Sequence, residues 1–95
     1  MMAAYWIAHV TVTDAERYKA YQALAPVAFA RFGGRFLARG GEADVMEGPA
    51  MARHVVIEFP DLAAARACYA SAEYQAARAA RDGAAEVALV IVDGV

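Results

Sequence analysis

Along the chain, apolar residues recur with two different periods, and the change of period marks the elements. Residues 5–12, YWIAHVTV, are aromatic, β-branched or apolar apart from His9 and Thr11, which predicts a strand. Thr13-Asp14-Ala15-Glu16 follows and fits a capping box, with Thr13 as N-cap. Tyr18, Tyr21, Ala25, Ala28 and Phe32 then recur at steps of three and four, the buried stripe of a helix reaching about Phe32. Pro26 removes one helical hydrogen bond, so a kink or a split into two short helices is expected, and Gly33-Gly34 ends the element. Arg35–Arg39 predicts a second strand, which Gly40-Gly41 interrupts and residues 42–47 extend after a bend. Arg53–Phe59 is the third strand. Asp61 then caps a helix to about Ala70, Ser71 caps a second piece over Ala72–Arg81, and Gly83 stops it.

The last strand, residues 86–93 (EVALVIVD), is apolar on both faces: Val87, Leu89 and Ile91 point one way, Ala88, Val90 and Val92 the other. The order is strand, helix, strand, strand, helix, strand, a split βαβ unit of the ferredoxin-like type in one domain over residues 1–95. Right-handed crossovers place strands one and three side by side in the centre of a four-stranded antiparallel sheet. A chain this short has helix for one face only. A second copy covers the other most simply, giving a homodimer with two sheets face to face, a dimeric α/β barrel.

Composition supports that reading. Hydrophobic residues make up 61% of the chain, yet charges interrupt every long apolar stretch, so no membrane span is expected. The first ten residues lack the basic start of a signal peptide and carry His9 within the apolar run, which points to a cytoplasmic protein. A net charge of −2, with no aromatic and basic run on strand three, argues against nucleic acid as a partner. Cys68 is the single cysteine, so an intrachain disulfide and a cysteine-rich metal site are excluded; it reads as buried helical filler.

Candidate chemistry gathers on the sheet. Alternation sends Trp6, Ala8, Val10 and Val12 toward the helices and Tyr5, Ile7, His9 and Thr11 toward the opposite face. Histidine is the residue whose ordinary titration makes it a general base near neutral pH. Glu58 alternates with Val55, Ile57 and Phe59, which places it on the face of His9; strands one and three are expected neighbours, so a His9–Glu58 pair is expected. Arg35 and Arg39 read as sharing one face of strand two, with Leu37 between them, and the planar guanidinium suits a carboxylate. Arg39 is flanked by Gly40-Gly41, which permits close backbone approach. Tyr5 shares the His9 face, and Tyr18, mostly core, can aim its hydroxyl at a cavity mouth. The stretch G-G-R-F-L-A-R-G-G lacks the pattern of a phosphate-binding or dinucleotide-binding loop. Alternation does not readily bring His9 and His54 to one site, and zinc needs three or four such ligands, so no metal and no cofactor is expected.

Several blocks in order carry a resemblance. Y-W-I-A-H-V, D-A-E-R-Y-K-A-Y, G-G-R-F-L-A-R-G-G, V-V-I-E-F-P and Y-A-S-A-E-Y-Q-A-A-R, spanning about residues 5 to 93, resemble the DUF1330 family, small proteins of uncharacterised function in the dimeric α/β-barrel superfamily. The resemblance implies the fold and the dimer; it does not imply a reaction. Two functions stand side by side. One is a small, anionic ligand bound in the barrel by His9, Glu58, Arg39, Arg35, Tyr5 and Tyr18, as in a cofactor-independent isomerase or monooxygenase with His9 as base and Glu58 orienting it. The other is a non-catalytic structural or interaction dimer.

Overall fold

A computed structural model describes residues 2–95. The elements in chain order are β1 (Ala4–Val12), α1 (Ala15–Arg31), β2 (Arg35–Arg39), β3 (Arg53–Phe59), α2 (Leu62–Ala70), α3 (Ala72–Ala80) and β4 (Ala85–Asp93). The strands form one four-stranded antiparallel sheet in the order β2-β3-β1-β4. This is the α+β, ferredoxin-like arrangement expected, with β1 and β3 central and the second helix divided at Ser71. The backbone measures 37 × 33 × 17 Å, and the short dimension holds one sheet and one helical layer.

Alternation along the central strands sorts the two faces. Ala4, Trp6, Ala8 and Val10 of β1 and Val55, Ile57 and Phe59 of β3 are buried on the helical side. Trp6 is 1% exposed and sits among the rings of Phe29, Phe59, Tyr69 and Tyr74, with centroids 4.8 to 5.9 Å away. On β4 it is Val87, Leu89 and Ile91 that pack against this core, whereas Ala88, Val90 and Val92 stay exposed on the open face.

The helix starts and stops follow local chemistry, with two departures from expectation. Asp14, not Thr13, is the N-cap of α1: its Oδ1 accepts the Arg17 N–H at 3.1 Å. The N–H groups of Thr13 and Asp14 both donate to the Ala84 carbonyl, at 2.8 and 3.0 Å, which ties Thr13 to the segment before β4 and delays the helix by one residue. The second departure is Pro26. Helix α1 runs through it as one helix, because burial of Tyr18, Ala25, Ala28 and Phe29 on both sides of the proline outweighs one lost hydrogen bond. Phe29 takes the core position, and Phe32, expected in the stripe, serves as C-cap. Gly33 (φ 79°) then lets its own N–H reach Ala30 O and the Gly34 N–H reach Phe29 O, a Schellman stop. Asp61 and Ser71 cap α2 and α3 as expected, accepting the N–H of Ala64 at 2.7 Å and of Tyr74 at 3.1 Å. Cys68 is fully buried, its thiol donating to Ala28 O at 3.7 Å.

The β2–β3 connection is where the chain departs most from its pattern. Residues 42–47 form no strand; pairing ends with the Gly40 N–H on His54 O at 2.8 Å. Gly40 is left-handed (φ 70°), and the Arg53 guanidinium fills the space where a Cβ would stand. Within β2 the register shifts between Phe36 and Ala38, so Leu37 is an extra residue in a bulge. Before the bulge Arg35 opposes Glu58; after it Arg39 opposes Val55. The two arginines therefore face opposite sides of the sheet, against the expectation that they share one.

Trp6→Ala is expected to cost about 3–5 kcal/mol, a large part of the ~5–15 kcal/mol total of a small domain. Urea denaturation followed by far-UV circular dichroism measures it. A loss below about 1 kcal/mol would show that the ring cluster is not the foundation of the core.

Candidate functional site

The residues singled out from the sequence fall into three separate places. On the open face, the β1–β3 register sets Tyr5 opposite Glu58 and His9 opposite His54. Glu58 accepts from the Tyr5 hydroxyl at 3.3 Å through Oε2 and from Arg35 Nε at 2.8 Å through Oε1. The carboxylate is thus satisfied by two neighbours, and the ion pair is wet, with Arg35 72% exposed, which leaves it a small contribution to stability.

His9 lies four positions along β1 from Tyr5, a span of about 13 Å, so the expected His9–Glu58 pair does not form although both occupy one face. The reason is register: β1 and β3 run antiparallel with Tyr5, not His9, level with Glu58. His9 instead meets His54, Nδ1 to Nδ1, at 2.8 Å, with the rings edge to face. The two histidines, which alternation was not expected to unite, are direct cross-strand partners.

The third place lies on the helical face, between the sheet and α1. Its walls are Trp6, Phe29, Phe36, Val55, Ile57 and Leu89, and its polar groups are Tyr18, Tyr21, Gln22, Arg39 and Arg53. Arg39 reaches it because of the Leu37 bulge and stacks over the Phe36 ring at 4.1 Å. Arg53 reaches it from the first position of β3, opposite Val10, and its Nε is buried without a hydrogen-bond partner. Pro26 lines the same cavity, and with no N–H it leaves the Gln22 carbonyl without its helical donor. The void is small, ≈ 40 Å³, room for a few water molecules. Of the expected site residues, then, Tyr18 and Arg39 converge here, and Gln22, Tyr21 and Arg53 join them. Arg53 was legible as a helix-side residue from strand alternation, and its charge at an otherwise apolar position was the signal.

Behind the cavity the polar groups are linked. Tyr21 and Tyr74 share a hydroxyl contact at 3.0 Å, Arg81 Nη2 donates to the Tyr74 hydroxyl at 3.3 Å, and the Arg81 guanidinium lies over the Tyr21 ring at 5.0 Å. Burial raises the Tyr18 pKa above 10.0 against the opposing pull of Arg53 and Arg81, and burial followed by Tyr74 raises that of Tyr21 much further. Both phenols are proton donors across the physiological range. Among the described residues, no group of three or more His, Cys, Asp or Glu side chains is placed to hold a metal ion. No helix there is long and apolar enough to cross a membrane.

A four-stranded antiparallel sheet with one helical layer and an aromatic-walled cavity beneath its first helix is a ferredoxin-like α+β fold. The chain belongs to the family described as a domain of unknown function, DUF1330, whose pattern it matches over residues 3–95. No curated protein matches it. A solved protein of unknown function from Rhodopseudomonas palustris superposes with a TM-score of 0.79 at 21% identity, over 99% of this chain and 83% of that one. SnoaB, a cofactor-independent oxygenase from Streptomyces nogalater, superposes with a TM-score of 0.64 at 16% identity, over 96% of this chain and 91% of that one. At such identities the likeness is one of fold.

The raised tyrosines give a pH prediction. Unfolded tyrosines ionise near 10.0, whereas burial raises the pKa of Tyr18 and Tyr21 in the fold, so their contribution is complete below pH 10 and declines as pH rises above it. Cys68, raised by burial from 9.0 to about 11, adds a decline that begins near pH 9. Each group adds about 1.4 kcal/mol of loss per pH unit inside its window. Urea midpoints measured from pH 8 to 11 should fall accordingly, and Tyr21→Phe should reduce the slope above pH 10 by one group's worth. An unchanged slope in that variant would show that Tyr21 ionises freely in the folded protein.

Proposed function

We propose that the protein is a homodimer that binds a small, planar, anionic molecule in the cavity between the sheet and α1, rather than on the open face of the sheet. The observation that carries this is the pair Arg39 and Arg53 lining an otherwise largely apolar cavity, with the Arg53 Nε buried and unpartnered. A desolvated guanidinium donor with nothing to bond is costly, and an anionic oxygen satisfies it. The aromatic walls suit a flat apolar body.

Such a site favours chemistry that begins with loss of a substrate proton. The proton leaves to solvent water, the arginines stabilise the resulting enolate or phenolate oxygen, and Tyr18, held protonated, donates its proton to the product and is reprotonated by water. That step is common to cofactor-independent isomerisation and to cofactor-independent oxygenation, in which the deprotonated substrate is itself the reductant and dioxygen the oxidant. The fold shared with SnoaB supports the oxygenase class as the first to assay. The ≈ 40 Å³ void favours a second reading, a solid, non-catalytic dimer, and ligand binding separates the two.

Trp6 lines the cavity and is the single tryptophan, so its fluorescence reports occupancy. Benzoate, 4-hydroxybenzoate and cinnamate are expected to shift its emission saturably, and neutral benzamide is not. Arg53→Leu should weaken binding about tenfold or more, equivalent to ~1.4 kcal/mol, whereas Glu58→Gln on the open face should leave it unchanged. A panel without saturable binding, or binding indifferent to Arg53, favours the solid dimer.

The dimer reading rests on the open face, where Val90 is 51% exposed, Val92 45% and Leu37 49%. Ile7 and Val56 lie on the same side and continue the apolar surface. A second copy laid on it would bury about 2,000 Å² or more in total. Sedimentation equilibrium at micromolar concentration should give twice 10.1 kDa. Val90→Asp should give a folded monomer, whereas Ile91→Asp, which strikes the core, should unfold the chain. A wild-type monomer would end the dimer reading.

A further inference from the structure

The open face carries one feature that neither the cavity nor an apolar contact between copies requires. His9 of β1 and His54 of β3 are direct cross-strand partners, and their Nδ1 atoms stand 2.8 Å apart. Two neutral imidazoles at that distance share a single proton: one Nδ1 donates and the other must offer its lone pair. Two protonated rings would set N–H against N–H. The arrangement already aims one lone pair at the other ring's nitrogen, and a metal ion is the other species that satisfies both.

We propose that His9 and His54 chelate a borderline divalent transition-metal ion, of the class of Zn²⁺, Ni²⁺ and Cu²⁺, through both Nδ1 atoms. Nitrogens about 2.0–2.1 Å from one ion lie about 2.9 Å apart at a right angle and about 3.4 Å apart at the tetrahedral angle. From 2.8 Å the pair needs only a small rotation of each ring to accept the ion in place of the shared proton. The backbone holds the two side chains in register on the central strand pair, so little entropy is lost in bringing them together.

The surroundings fit a cation. The pair forms one wall of an open cavity of ≈ 470 Å³ whose other wall is the β2–β3 connection, with Asp44, Glu47, Met46 and Met51 along it. The two carboxylates favour positive charge, and the ≈ 470 Å³ between the strands and the connection leaves room for water to complete the coordination. The ion is held by two protein ligands and water, which sets it apart from a closed structural site. The site lies across the sheet from the arginine-lined cavity and does not depend on a ligand there.

Isothermal titration of the untagged, chelator-treated protein with ZnCl₂ at pH 7.5 tests the proposal. One saturable site per chain is expected, and His9→Ala and His54→Ala should each weaken it about tenfold or more with unchanged circular dichroism. Cys68, buried and bonded to Ala28, does not compete. Long-range ¹H–¹⁵N spectra of the wild-type protein give a readout independent of any variant: zinc should move the Nδ1 resonances of both rings and leave both Nε2 atoms protonated. Because the ion displaces a proton, binding should weaken in acid. Coordination through Nε2, binding by one ring alone, a loss below about tenfold in either variant, or no saturable site overturns the proposal.

Discussion

The pairing of β1 with β3 is the constraint on which everything else in this protein rests. Setting Trp6 level with Ile57 and Ala8 level with Val55 directs one set of side chains into the helices and the other to the open face. A slip of β1 by one residue would exchange its two sets, placing Tyr5 and His9 under the helices and Trp6 in solvent. The ring cluster around Trp6 holds the register from one side, and the cross-strand contacts Tyr5–Glu58 and His9–His54 accompany it on the other.

A single extra residue then decides where charge goes. Without the bulge at Leu37, Arg35 and Arg39 would lie on one face and the cavity beneath α1 would have one arginine instead of two. The bulge turns Arg39 across the sheet, where it stacks on Phe36 and stands beside the same cavity as Arg53. Gly40 completes the device, since its missing side chain makes room for the Arg53 guanidinium. A bulge, a glycine and a charged first residue of β3 together place two cations against an aromatic wall.

Polar groups in the molecule are distributed by how well they are satisfied. Glu58, the carboxylate that looked catalytic, has a partner on each oxygen and is anchored. Arg53 and Arg81 each keep a buried Nε without one. Tyr21, Tyr74 and Arg81 form a connected set that holds α1 against α3 at the rear of the cavity. Of the two arginines, Arg53 lines the cavity beneath α1 and Arg81 does not.

Much of the fold was legible from residue order alone. The strand pattern of residues 5–12, 53–59 and 86–93, the caps at Asp61 and Ser71 and the double glycine after Phe32 are local signals, set by side-chain periodicity and backbone sterics, and the structure keeps them. The face of Trp6, Val55 and Glu58 followed from the same alternation. What the sequence could not fix was anything that depends on how one strand lies against another. Alternation tells on which face His9 and Glu58 lie, but only the register tells that they are not level. It gives no warning of an extra residue at Leu37, because a bulge is a mismatch between two strands and not a property of one. The start of α1 at Asp14 was decided by the Ala84 carbonyl, remote in sequence, and the unbroken passage through Pro26 by burial on either side of it. Local physics determined the elements and their faces; long-range pairing decided which charged and polar side chains meet.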